Sequence, residues 1–221
     1  MSISDNILCG MGAVKRSGMT RREQAAATRE RMLGAAIEVF AEEGYVGARM
    51  VDIAARAGVA VQTLYFVFHT KPELLQACFD FAVLGPDRLI PPEQPPLREI
   101  ATAGSGRAAL RAFVAGNTAI LERVATTDEV ARAALHEPES AAVVASSQRL
   151  RRDGYRDLLA TIAERFALRD GLDLDEATDL LLMFGSSATY LAMMRAGWSG
   201  ERFEAWLTDT LARTLLARPG R

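Results

Sequence analysis

The chain is poor in the residues that metal and redox chemistry draw on. Its two cysteines, Cys9 and Cys78, cannot make a disulfide framework, and two histidines, His69 and His136, add no Cys/His zinc site. No metal or cofactor is expected. It has no glycine-rich phosphate loop, no HExxH sequence and no nucleophile–histidine pairing with a residue to orient it, so it is not expected to be an enzyme. The acids Glu137, Glu139, Asp173, Asp175 and Glu176 fall at expected helix ends and loops, where solvated caps account for them. No uncharged apolar run reaches the ~18 residues of a membrane span. The first residues carry Asp5 and no compact apolar stretch before a cleavage site, so no secretory signal is expected and a reducing cytoplasm is the expected compartment. Aromatics make up only 7%, and long alternating β-branched runs are missing, which disfavours a sheet-rich fold. An excess of one charge is missing too. Lys and Arg total 26 against 28 Asp and Glu, for a net charge of -2, which at face value argues against a strongly basic nucleic-acid binder.

What is present is ordinary globular material: 221 residues, 49% hydrophobic and 24% charged, enough to bury one large core or two small ones. Good helix formers dominate, and an all-α fold is expected. Residues 1–20 lack periodicity and read as a flexible arm; Met19 could equally be the first residue translated. From Arg22 to Glu43, Met32, Leu33, Ala36, Ile37, Val39 and Phe40 recur at three- and four-residue steps, and Gly44 should stop that helix. Short helices are expected over about 50–57 and 61–68, and another opens at Lys71-Pro72-Glu73, with Pro72 in its first turn. Residues 85–96 hold six of the chain's 17 glycines and 8 prolines, which marks a linker. Beyond it, helices are expected over 106–125, 127–135, 138–168, 174–196 and 200–217, with Asp173 and Glu176 forming a capping box.

The informative segment is 52–65. Ile53, Ala54 and Ala57 give the first short helix an inward face, Gly58 allows a turn that a β-carbon would penalise, and Leu64 and Phe68 hold the second helix on a core. This is a helix-turn-helix pattern, and its second helix can lie in a major groove. The outward side would carry Val61, Gln62, Thr63, Tyr65 and Phe66. Gln62 suits a base edge, the hydroxyls of Thr63 and Tyr65 suit phosphates, and Val61 suits a thymine methyl. The Lys71 ammonium and the free N–H groups beside it suit a phosphate. A helix pair buried in a larger bundle, with Tyr65, Phe66 and Phe68 as core, accounts for the same spacing.

Residues 28–75 resemble the DNA-binding domain of the TetR/AcrR family of bacterial transcriptional regulators. The resemblance rests on Thr28-Arg29-Glu30, Ala35-Ala36, Phe40 through Tyr45, Asp52-Ile53-Ala54, Ala57-Gly58-Val59, Thr63-Leu64-Tyr65, Phe68 and Lys71 through Leu75, all in one order. It implies a homodimer on a palindromic double-stranded operator, released by a small molecule in the C-terminal domain. It places DNA contacts on Arg49, Val61, Gln62, Thr63, Tyr65, Phe66, His69 and Lys71. The family usually has Ser or Thr around Ala48 and Arg49; neither residue here can cap, although Arg49 could meet a phosphate with a full charge.

The implied domains are an arm over 1–20, a DNA-binding domain over 21–84, a Pro-rich linker over 85–96, and a helical effector-binding and dimerisation domain over 97–218. The last two helices, about 174–217, are the implied dimer face. Intramolecular packing explains their apolar stripe equally well. An unidentified effector, apolar or aromatic, would be lined by Phe113, Asn117, Leu121, Tyr155, Leu159, Met183, Tyr190 and Met194. Each of these singly fits core packing. A helical binding module without DNA, or a helical enzyme, are the alternatives. The charge balance conceals a local pattern. Residues 15–31 carry Lys15, Arg16, Arg21, Arg22, Arg29 and Arg31 against Glu23 and Glu30 alone, a basic stretch that could track phosphates or be a solvated face.

Overall fold

A computed structural model describes residues 20–85 and 87–217. Of the arm expected over residues 1–20, residues 1–19, including Lys15 and Arg16, lie outside the described residues. Thr20, expected in that arm, belongs to the fold: its side chain accepts from the Glu23 N–H at 3.3 Å while Glu23 accepts from the Thr20 N–H at 2.7 Å. That capping box starts α1 (Arg21–Gly47) and holds the Glu23 carboxyl below its usual range. Met32, Leu33, Ala36, Val39 and Phe40 form its buried stripe. At Gly44 the backbone leaves helical geometry with φ at +71°, then resumes for one more turn. That turn seats Tyr45 against Phe40, ring centres 6.0 Å apart.

Next come α2 (Met50–Ala57) and α3 (Val61–Phe68), bent by 107° at the turn, within the range of a helix-turn-helix. Gly58 sits at φ +68° and ψ +37°, and its N–H donates to the Ala54 and Ala55 carbonyls. Ile53, Ala54, Leu64 and Phe68 turn inward onto α1 and onto α4 (Lys71–Leu84). Thr70 caps α4, accepting from the Glu73 N–H at 3.2 Å.

The Pro-rich segment is folded rather than a free tether. It forms a 3-10 turn (Pro91–Glu93), α5 (Pro95–Arg98) and a second 3-10 turn (Glu99–Thr102). Proline's fixed φ fits the first turn of a helix, so a Pro-rich stretch can supply short helix starts as well as linkers. Gln94, Leu97 and Ile100 are buried, and the Gln94 amide donates to Val83 O at 2.9 Å and Leu89 O at 3.1 Å.

The second part contains α6 (Gly106–Ala133), α7 (Pro138–Ala163), α8 (Leu174–Phe184), α9 (Ser187–Arg195) and α10 (Gly200–Leu215). Three expected boundaries are corrected. Helices 106–125 and 127–135 are one helix, because the β-branched pair at Thr126–Thr127 costs only a few tenths of a kcal/mol and Thr127 is buried by packing. The helix expected to reach 168 ends at Ala163; beyond it Arg169 N–H donates to Leu215 O and Ala217 N–H to Ala167 O, which binds the chain to the end of α10. The helix expected over 174–196 breaks at Gly185, where Ser186 caps α9 by accepting from the Thr189 N–H. The capping box of Asp173 and Glu176 is present. Among the described residues the fold is helical, with a single bridge between Leu168 and Leu216 in place of any strand. One hydrophobic cluster runs from Met32 and Ile53 through Leu110 and Phe113 to Leu211.

Candidate nucleic-acid interface

The exposed side of α3 is built by its own periodicity. Leu64 and Phe68, four apart, are buried, and this turns Gln62, Thr63, Tyr65 and Phe66 to solvent. Phe66 is 81% exposed and Tyr65 47% exposed. Val61 and Val67 are half-buried against the core, so Val61 offers at most one edge of its side chain. His69 is exposed and ends α3 with φ at +50°. A buried-bundle role for Tyr65 and Phe66 therefore fails in this chain, although it holds for Phe68.

The cations around this face are engaged. Arg49 precedes α2 without a side-chain cap bond; instead it grips Asp52 through Nε at 2.6 Å and Nη2 at 2.9 Å. The Arg49 side chain is 72% exposed, and such surface pairs contribute little, so a phosphate could displace Asp52. Arg56 is bound twice to Glu42, at 2.7 and 2.6 Å. Arg29 lies over the Phe68 ring at 5.1 Å.

Lys71 departs most from expectation. Its ammonium turns inward and donates to the carbonyls of Tyr45 (2.8 Å), Val46 (3.3 Å) and Ala48 (3.1 Å). Three acceptors use all three of its protons, so the ammonium is not presented to a phosphate. Burial pulls its pKa down, against the opposing pull of Glu137 and Glu139. What Lys71 can still offer a phosphate is its backbone N–H at the start of α4. Sequence reasoning missed this role. Gly44 was its only signal, since a helix broken there exposes carbonyls that need a donor.

Arg123 was missed as well: from α6 it donates to Ala82 O at 2.7 Å and so closes the end of α4. Together with Gln94 it ties the helix-turn-helix unit to the second part of the chain.

The expected effector residues are brought together only in part. Tyr155 donates to Asn117 Oδ1, Asn117 Nδ2 donates to Gly185 O at 3.2 Å, and the Tyr155 ring meets Phe113 edge-on at 5.1 Å. This cluster satisfies itself, and burial pushes the Tyr155 hydroxyl up to about 12. Leu121 and Leu159 are buried core. Tyr190 packs on Phe203 at 5.3 Å, Met194 is half-buried, and Met183 is 54% exposed. A cleft of about 650 Å³ lies instead between α7 and the α8–α9 break, and Met183 is the only one of these eight residues on its wall.

The family described as bacterial regulatory proteins, tetR family, matches residues 32–78, the span from the buried stripe of α1 into α4. Residues 32–78 are therefore similar to the helix-turn-helix region of that family. Two regulators from Pseudomonas putida align with the same region. The HTH-type transcriptional regulator CymR is 39% identical over 62 residues, 28% of this chain and 30% of CymR. The uncharacterized HTH-type transcriptional regulator TtgW is 43% identical over 61 residues, 27% of this chain and 46% of TtgW. The alignments thus span less than half of either relative. Over the whole fold, the transcriptional regulator FadR from Bacillus subtilis, solved in complex with stearoyl-CoA, superposes with a TM-score of 0.63 at 19% identity, covering 82% of this chain and 96% of FadR. The helix-turn-helix region is therefore followed by a helical domain of the same architecture as FadR.

Proposed function

We propose that the protein is a ligand-responsive transcriptional regulator that binds a palindromic operator as a homodimer. One observation carries this reading: α3 presents Gln62, Thr63, Tyr65 and Phe66 to solvent on a helix-turn-helix similar to that of the TetR family. Gln62 reads a base edge, Phe66 packs on thymine methyls, and Thr63, Tyr65, Arg49, His69 and the Lys71 N–H position the backbone. Dimerisation falls to α8, α9 and α10, which leave Leu180 and Leu191 only partly buried in one chain. A small molecule in the domain over 97–218 shifts the pair of α3 helices out of register with the DNA, which makes the protein a repressor released by its effector. Residues 85–96 serve as the joint between the domains.

The deciding experiment is selection of bound duplexes from a random pool by the full chain. The expected product is a palindrome whose half-sites lie about 34–36 Å apart. A folded dimer that recovers no preferred sequence would overturn the reading.

A further inference from the structure

The cleft between α7 and the α8–α9 break has an uneven lining. One side is built from α7, where Arg149, Arg151 and Arg152 reach it together, and Arg132 of α6 joins them. The facing side is apolar, carried by Leu182 and Met183. Two of the four guanidiniums are compensated. Arg132 donates to Asp128 at 2.8 Å and, with the Gln148 amide oxygen turned toward it, to Gln148 at 2.8 Å. Arg152 is paired with Asp179. The other two are not. Arg149 and Arg151 have no carboxylate within ion-pair distance among the described residues, and the Arg151 Nε is buried without a hydrogen-bond partner.

This arrangement is costly as it stands. A buried N–H without an acceptor loses its hydration and gains nothing in return. Arg149 is exposed and, like Arg151, lines the cleft without a carboxylate partner. A carboxylate or phosphate in the cleft would meet the Nη groups of these two guanidiniums, whose forks fit such oxyanions with paired hydrogen bonds. The apolar wall calls for a hydrocarbon or aromatic body on the same molecule. The volume, about 650 Å³, is that of a small-molecule site.

We propose that this cleft binds an amphipathic organic anion, its acid group on Arg149 and Arg151 and its apolar body on Leu182 and Met183. The proposal rests on the regulator reading for its biological meaning and adds an acid group to the apolar or aromatic effector expected from the sequence. Because the cleft borders the α8–α9 break, an occupant would act on the same helices that carry the dimer face.

The test is calorimetric titration of the full chain, without DNA, by benzoate, decanoate and phenyl phosphate, with benzamide as the neutral counterpart. At least one anion should bind saturably and benzamide should not; the tighter of carboxylate and phosphate identifies the acid group. Arg151→Met should weaken that binding tenfold or more while circular dichroism stays unchanged, and Arg98→Met, on the exposed end of α5, should not. If Arg151→Met fails to fold, Arg149→Met carries the same expectation. Equal binding of benzamide, binding insensitive to these arginines, or no saturable binding by any of the three anions overturns the proposal. Duplex selection is scored separately. A recovered palindrome with no anion binding removes the site alone, and anion binding with no palindrome removes the regulator reading alone.

Discussion

The Lys71 ammonium lies 4.6 Å from the centre of the Tyr45 ring and donates to the Tyr45 carbonyl at 2.8 Å. The same ring carries a hydroxyl that reaches Glu139 at the start of α7, at 3.5 Å. A short chain of contacts therefore runs from the first residue of α4, through the turn beyond Gly44, to the second part of the protein. Lys71 acts here as a cap for the end of α1, not as a surface charge.

Lys71→Met should accordingly cost about 2 kcal/mol of stability, since the part-buried carbonyls of Tyr45 and Ala48 and the exposed one of Val46 lose a charged donor. Urea unfolding of the variant checks the magnitude. In the remaining folded protein, the salt dependence of DNA binding should keep its slope. A slope shallower by about one phosphate contact would show that the ammonium is on the DNA instead.

Much of the helix-turn-helix region was legible because its instructions are local. Gly58, the spacing of Leu64 and Phe68, and Pro72 after Thr70 each set a boundary within a few residues, and α2, α3 and α4 begin and end where the sequence places them. The exposed face of α3 followed from the same periodicity. The long-range pairings were not legible. Lys71 with Tyr45, Arg123 with Ala82 and Gln94 with Val83 join a side chain to a distant carbonyl, and no spacing encodes that. The cleft arginines were hidden for a related reason. A run of Arg on a helix reads as a solvated face, and only the packing around Arg151 distinguishes it from one, whereas Phe113 and Leu159 simply fill the core.

The buried hydroxyl and thiol groups predict an alkaline weakness. Burial pushes the Cys78 thiol from 9.0 up to about 12, and Tyr45 and Tyr155 from 10.0 up to about 12. Each holds its proton more tightly when folded, so its contribution is fully present below the unfolded value and is lost as pH rises toward the folded one. Lys71, whose folded pKa is lowered by burial, works in the opposite direction and offsets a part. The urea midpoint under reducing conditions should hold to about pH 9 and fall steadily from there to pH 12. Cys78→Ala should move the onset to about pH 10, and a midpoint flat to pH 11 in the parent protein would refute the assignment.

Gly116 tests whether the Pro-rich segment is a packed element. A β-carbon there would stand 2.5 Å from Leu97 Cγ and 2.7 Å from Leu97 Cδ2, so α5 must move for any larger residue to fit. Gly116→Ala should destabilise by about 1–3 kcal/mol despite alanine's better helix propensity. It should also increase amide hydrogen exchange over 91–102. Gly34→Ala, where a β-carbon meets nothing within 4 Å on a helix of the same fold, should be neutral or mildly stabilising. Equal effects at the two positions would mean that Leu97 yields without consequence.

The face of α3 should separate stability from recognition. Gln62, Thr63 and Phe66 make no contact that a fold needs, so alanine at each should change unfolding free energy by less than about 0.5 kcal/mol. On the selected palindrome the three should differ. Gln62→Ala should cost about 1–3 kcal/mol and relax the preference at one base position of each half-site, the mark of a lost base contact. Phe66→Ala should weaken binding most where a thymine methyl faces α3, and replacing that thymine with uracil should reproduce the loss in the parent protein. Thr63→Ala should weaken all sequences alike, as a phosphate contact does. If Gln62→Ala and Thr63→Ala weaken every duplex equally, α3 follows the backbone without reading bases, and sequence preference must then come from DNA shape rather than from this helix.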